Sequence, residues 1–154
     1  MYEKIVVPLD GSKVGEAALP YVEDIVSKLS PEVKTEVVLL QVLAPASIPT
    51  ISGRTPEVAP YTEQQMEKTS EEAMEYLNQT GEALRSKGVT VTAKVAIGDA
   101  SEQIVKVAQE IDADLITMST HGRSGLSRWA FGSVTDKVLR KEGRIPIAMV
   151  RAPR

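Results

Sequence analysis

The 154-residue chain has no cysteine and one histidine. Without thiols it can form no disulfide, no Cys-based zinc site and no cysteine nucleophile. It also lacks a basic excess. Eighteen Lys and Arg stand against 21 Asp and Glu, for a net charge of −3, which argues against a dedicated nucleic-acid binder. No apolar run approaches the ~18 residues that span a bilayer, so no membrane partner is expected. The start, Met1-Tyr2-Glu3-Lys4-Ile5-Val6-Val7, shows no basic n-region, long apolar stretch or small-residue cleavage site, so a cytoplasmic location is expected. Several catalytic signatures are missing too. There is no G-x-x-x-x-G-K-[ST] phosphate loop, no G-x-G-x-x-G after a strand, no G-x-S-x-G elbow and no H-E-x-x-H.

What is present is ordinary globular chain, with 42% hydrophobic and 25% charged residues. Its length fits one domain over residues 1–154. Ile5-Val6-Val7-Pro8-Leu9 is a short apolar run closed by Asp10-Gly11, which reads as a buried strand. From Val14 the spacing turns helical through Ala17, Ala18, Tyr21, Val22, Ile25 and Leu29. Ser12 is the candidate N-cap, and Pro20 should kink or open that helix. Further strands are expected at 37–43, at 89–95 (partly alternating, hence a candidate edge), at 115–118 and at 145–150. Between them lie a helix over about 62–87, one carrying Ile104, Val107, Ala108 and Ile111, and one starting near Ser133. Alternating apolar strands and helices predict an α/β fold: a doubly wound five-stranded parallel sheet, Rossmann-like, with helices on both faces.

Three segments stand apart. Residues 44–61 hold four of the nine prolines and read as a Pro-rich loop, long for a compact domain. Residues 57–82 carry seven Glu against one Lys, which reads as a solvated helix face. Residues 120–144 carry six Lys or Arg against Asp136 and Glu142, with Gly122, Gly125 and Gly132 among them. Strand, flexible turn and helix N-terminus in succession offer backbone N–H groups and a positive dipole end to an anion. Gly122 and Gly132 let the main chain approach phosphate oxygens, and Ser133 can cap the helix or donate to a phosphate. If the first and fourth strands are neighbours where strand order reverses, Leu9-Asp10 and Met118-Ser119 open one crevice. Asp10 then faces a ribose hydroxyl or a metal-bound phosphate, or forms an Asx turn with Gly11; the roles are compatible. His121 is either a phosphate contact and acid–base group or a turn residue, and Arg123 and Arg128 either neutralise phosphate or face solvent.

Val6-Val7-Pro8-Leu9-Asp10-Gly11-Ser12, Gly98-Asp99-Ala100, Thr120-His121-Gly122-Arg123-Ser124-Gly125 and Gly132-Ser133 together resemble the universal stress protein family over nearly the whole chain. Nucleotide-binding members carry G-x2-G-x9-G-[ST] after the fourth strand. Here Gly122, Gly132 and Ser133 match it, while Ser119 replaces the first glycine and adds a small side chain near the ribose. ATP binding is expected to survive that change. The resemblance implies that Pro8, Asp10, Val42 and Met118, beside Ser119, frame base and sugar. Gly122, Gly132, Ser133 and Val134 hold phosphates bridged by Mg or Mn. It further implies a homodimer through residues 145–151 and a regulatory or protective role in stress, with at most slow ATP hydrolysis. A phosphoryl- or adenylyl-transfer enzyme, and a nucleotide-free module for an unidentified protein partner, are the alternatives.

Overall fold

In chain order the elements are β1 (Lys4–Leu9), α1 (Lys13–Glu16), α2 (Ala18–Lys28), β2 (Glu36–Leu43), β3 (Ser47–Thr50), β4 (Glu57–Pro60), α3 (Glu63–Arg85), β5 (Thr90–Ile97), α4 (Ala100–Glu110), β6 (Leu115–Thr120), α5 (Ser133–Lys141) and β7 (Ile147–Arg151). They come from a computed structural model that describes residues 2–30, 32–45, 47–50, 57–60, 62–120, 133–141 and 143–153. Ile5, Val6 and Val7 of β1 are completely buried. Consecutive residues of a strand point to opposite faces, so β1 needs cover on both. It lies mid-sheet, parallel to β2 on one side and β6 on the other, in the order β5-β2-β1-β6-β7. This is the five-stranded parallel α/β sheet that the alternating pattern predicts, with β5 at an edge as expected.

The two faces bury separate clusters. Ile5, Val7 and Leu39 pack with Ala18 and Val22 of α2 and Leu77 and Leu84 of α3. Val6, Leu40 and Ile116 pack with Ile104, Val107 and Ala108 of α4 and Val138 of α5. Local chemistry sets the helix starts. The Ser12 side chain caps α1, Thr62 and Gln65 form a reciprocal capping box at α3, and Asp99 caps α4. The expected disturbance at Pro20 falls upstream of it, as a break at Ala17. Proline has no N–H and its ring collides with the carbonyl four residues back, here that of Glu16. α2 therefore restarts at Ala18 and holds Pro20 in its first turn.

The connection 44–61 departs from the expected loop. Its described residues form a two-stranded antiparallel sheet, β3 with β4, pairing Pro49 with Val58 and Ser47 with Pro60. Both strands of such a ribbon have a free edge, where a residue without an N–H is tolerated. The prolines that hid the strands from a pattern reading therefore do not prevent them.

On α3, the Tyr76 hydroxyl donates to Glu16 Oε1 at 3.2 Å, and Lys13 Nζ donates to Glu16 Oε2 at 2.8 Å. Burial first, then the Glu16 charge, pushes the Tyr76 phenol up from 10.0 to about 12. The folded chain holds that proton where an unfolded chain releases it. Tyr76 thus contributes fully below pH 10, and the contribution is lost as pH rises to about 12. Tyr76→Phe is expected to flatten the fall of the urea midpoint across that window and to remove a tyrosine step near pH 12 from an absorbance titration.

Candidate functional site

Above the α4–α5 side of the sheet, at the carboxyl ends of the strands, is a cleft of about 280 Å³. It sits where strand order reverses between β1 and β6, the place where open α/β sheets receive ligands. β1 contributes Pro8 and Leu9, with Asp10 just beyond them; β2 contributes Leu40 and Val42, and β6 contributes Met118, Ser119 and Thr120. Ala100 and Ile104 of α4 close one wall, and Ser133, Val134 and Thr135 of α5 close another. The depth is apolar, made by Leu40, Val42, Ile104 and Met118. Its rim is polar.

Seven of the nine residues expected from sequence thus line one cleft: Pro8, Asp10, Val42, Met118, Ser119, Ser133 and Val134. The other two, Gly122 and Gly132, lie outside the described residues, as does His121. Ser133 is the first helical residue of α5, one position inside the cap role open to it. Sequence reasoning missed Gly15, Ala100, Ile104 and Thr135, which also line the cleft. Ile104 reads as core from its helical spacing and does bury with the α4 cluster. Ala100 follows Gly98-Asp99, a visible helix start, but nothing local reveals what that start faces.

Two helices present their N-terminal turns to the cleft, α4 through Ala100 and α5 through Ser133–Thr135. Each brings a partial positive charge, which favours an anion. Asp99 Oδ1 takes the Glu102 N–H at 3.1 Å and the Ser101 hydroxyl. The Ser101 bond, then the backbone bond, lowers the Asp99 pKa from its ordinary 3.8. Lys141 Nζ reaches Glu102 Oε1 at 3.0 Å, tying α5 to α4 across the wall.

Asp10 shows the Asx turn expected of it: Oδ1 accepts from Ser12 N–H at 2.9 Å and from the Ser12 hydroxyl, and Gly11 has φ +81°. Ser12 Oγ accepts the Gly15 N–H at 3.0 Å, and Ser119 Oγ donates to the Gly15 carbonyl at 2.6 Å. Among the described lining residues Asp10 is the one titratable side chain.

A model of the universal stress protein family matches residues 1–151. The chain belongs to the universal stress protein family. It is 30% identical over 160 residues to universal stress protein MJ0577 of Methanocaldococcus jannaschii, covering 98% of this chain and 96% of that one. The solved MJ0577 structure superposes with a TM-score of 0.74 at 27% identity, over 100% of this chain and 99% of the other. The same fold occurs in a universal stress protein of Archaeoglobus fulgidus in complex with dAMP (TM-score 0.63, 21% identity, 97% and 98% covered). It occurs again in a universal stress protein in complex with cAMP (TM-score 0.63, 17% identity, 97% of both chains covered). Among the described residues, this member has no helix long and apolar enough to cross a membrane.

Proposed function

We propose that this universal stress protein binds ATP in the cleft at the β1–β6 switch point, as a homodimeric regulatory or protective protein of the stress response. The observation that carries the reading is convergence: residues from β2, β6, α5 and the end of β1, far apart in sequence, meet around one cleft. An apolar slot between Val42, Met118 and Pro8 suits a purine. Asp10 at the rim suits the sugar. The N-terminal turn of α5, with Ser133 and Val134, suits phosphates, and in the sequence Gly122 and Gly132 complete the motif. Mg or Mn would be held mainly by the phosphates themselves. The dAMP and cAMP complexes of relatives with this fold support a nucleotide.

The test is direct. Acid release from the purified protein, followed by calorimetric titration with Mg-ATP, should give nucleotide near one per chain and no multiple turnover. No released nucleotide and no heat would overturn the reading. Sustained turnover, lost on changing a site residue, would replace it with an enzyme.

The dimer is assigned to the outer strand. Among the described residues β7 pairs with no strand besides β6, which leaves it at the sheet's edge with Ile147–Val150 half-buried. Ala148 and Val150 already pack on the core cluster beneath, whereas Met149 does not. Met149→Glu is therefore expected to shift the light-scattering mass from dimer to monomer with the melting curve little changed. An unaltered mass would move the interface elsewhere.

A further inference from the structure

Ser119 ends a hydrogen-bonded chain that crosses the switch point. Its hydroxyl donates to the Gly15 carbonyl oxygen at 2.6 Å, across 104 positions of sequence. Gly15 donates its N–H to Ser12 Oγ at 3.0 Å. Ser12 then gives its N–H, at 2.9 Å, and its hydroxyl to Asp10 Oδ1. The tip of β6 is thereby fastened to the tip of β1 through α1. Room for this is narrow, since a Cβ on Gly15 would lie 2.7 Å from Asp10 Oδ1. The sister oxygen, Asp10 Oδ2, takes no bond from the described residues.

We propose that Ser119 is a positioning residue: its hydroxyl holds α1 across the switch point, so that Asp10 presents Oδ2 to the cleft as acceptor for a ribose hydroxyl. The inference rests on the nucleotide reading above. The physical basis is preorganisation. A carboxylate with one oxygen fixed by two donors has lost its free rotation before the ligand arrives, and a bond to a charged acceptor is among the stronger ones. Ser119 occupies the position where the family pattern has glycine, and a glycine has no hydroxyl to supply this bond.

The readout is the preference for ATP over 2′,3′-dideoxy-ATP, measured by calorimetry with magnesium. Ser119→Ala is expected to shrink that preference about fivefold, and Ser119→Thr, which keeps the hydroxyl, to restore it. In an Asp10→Ala background the Ser119→Ala change should alter the preference no further, because both act on one contact. A merely structural role would weaken both nucleotides alike. An unchanged preference in Ser119→Ala, a wild-type protein that binds the two equally, or independent effects of the two substitutions would each overturn the proposal. If the wild type binds neither nucleotide, the functional reading falls and the ribose contact with it. Amide exchange then judges the fastening alone. Faster exchange at Gly15 and Glu16 in Ser119→Ala supports it, and unaltered exchange overturns it.

Discussion

Val42→Trp is expected to lower Mg-ATP affinity at least about 100-fold, a loss of about 3 kcal/mol, while the fold persists. Val42 lies near the end of β2, paired with Ala96 of β5, and is half-buried at the upper margin of the α4-side cluster. Val38 and Leu40 on the same face form the packed layer below it. Val42 lines the cleft of about 280 Å³, so a larger side chain there has the cleft to extend into. There an indole fills the apolar slot between Pro8 and Met118 assigned to the base. The substitution buries no charge, and the indole N–H has the polar rim of the cleft within its reach, so the urea midpoint should stay close to wild type. The pair of measurements separates blocking from unfolding. Unchanged affinity in a folded variant would place the nucleotide outside this cleft.

Gly81→Leu is expected to destabilise the protein by about 3 kcal/mol, read as a lower urea midpoint at unchanged slope. Gly81 is buried inside the C-terminal part of α3, where glycine is a poor helix former. Packing explains its presence. A Cβ there would sit 2.9 Å from Val91 Cγ1 of β5 and 3.2 Å from Leu39 Cδ1 of β2. Val91 is β-branched and stiff, and Leu39 is completely buried. Alanine at 81 recovers up to about 1 kcal/mol of helix propensity and spends it on those short contacts, so its effect should be small. Leucine gains no more propensity and must open the layer between α3 and the sheet. A Gly81→Leu protein as stable as wild type would show that α3 does not approach the sheet this closely.

Much of this architecture is legible in the chain. β1 and β2 are apolar runs that no helical spacing explains, and Ser12 and Asp99 mark the starts of α1 and α4. The prolines behave less legibly. Pro20 states that a helix is disturbed, but the break at Ala17 depends on where the Glu16 carbonyl lies. Pro49 and Pro60 erase the strand signal at β3 and β4, because a pattern cannot tell a free ribbon edge from a central strand. Gly81 shows the same gap, since its contacts with Val91 and Leu39 lie across the helix–sheet layer.

The candidate site divides along the same line. Read along the chain, the residues already mark the alternation of strands and helices, the caps, and the family pattern that singles out Asp10, Ser119 and Ser133. These are local signals, carried by neighbours within a few residues or by motif spacing. It takes the folded sheet to bring Ala100, Ile104 and Gly15 to the same cleft, and to engage the Ser119 hydroxyl with the Gly15 carbonyl. Those contacts join residues up to 104 positions apart, and which partners meet depends on the order in which five strands assemble. Strand order is a property of the packed sheet, and no short stretch of chain encodes it.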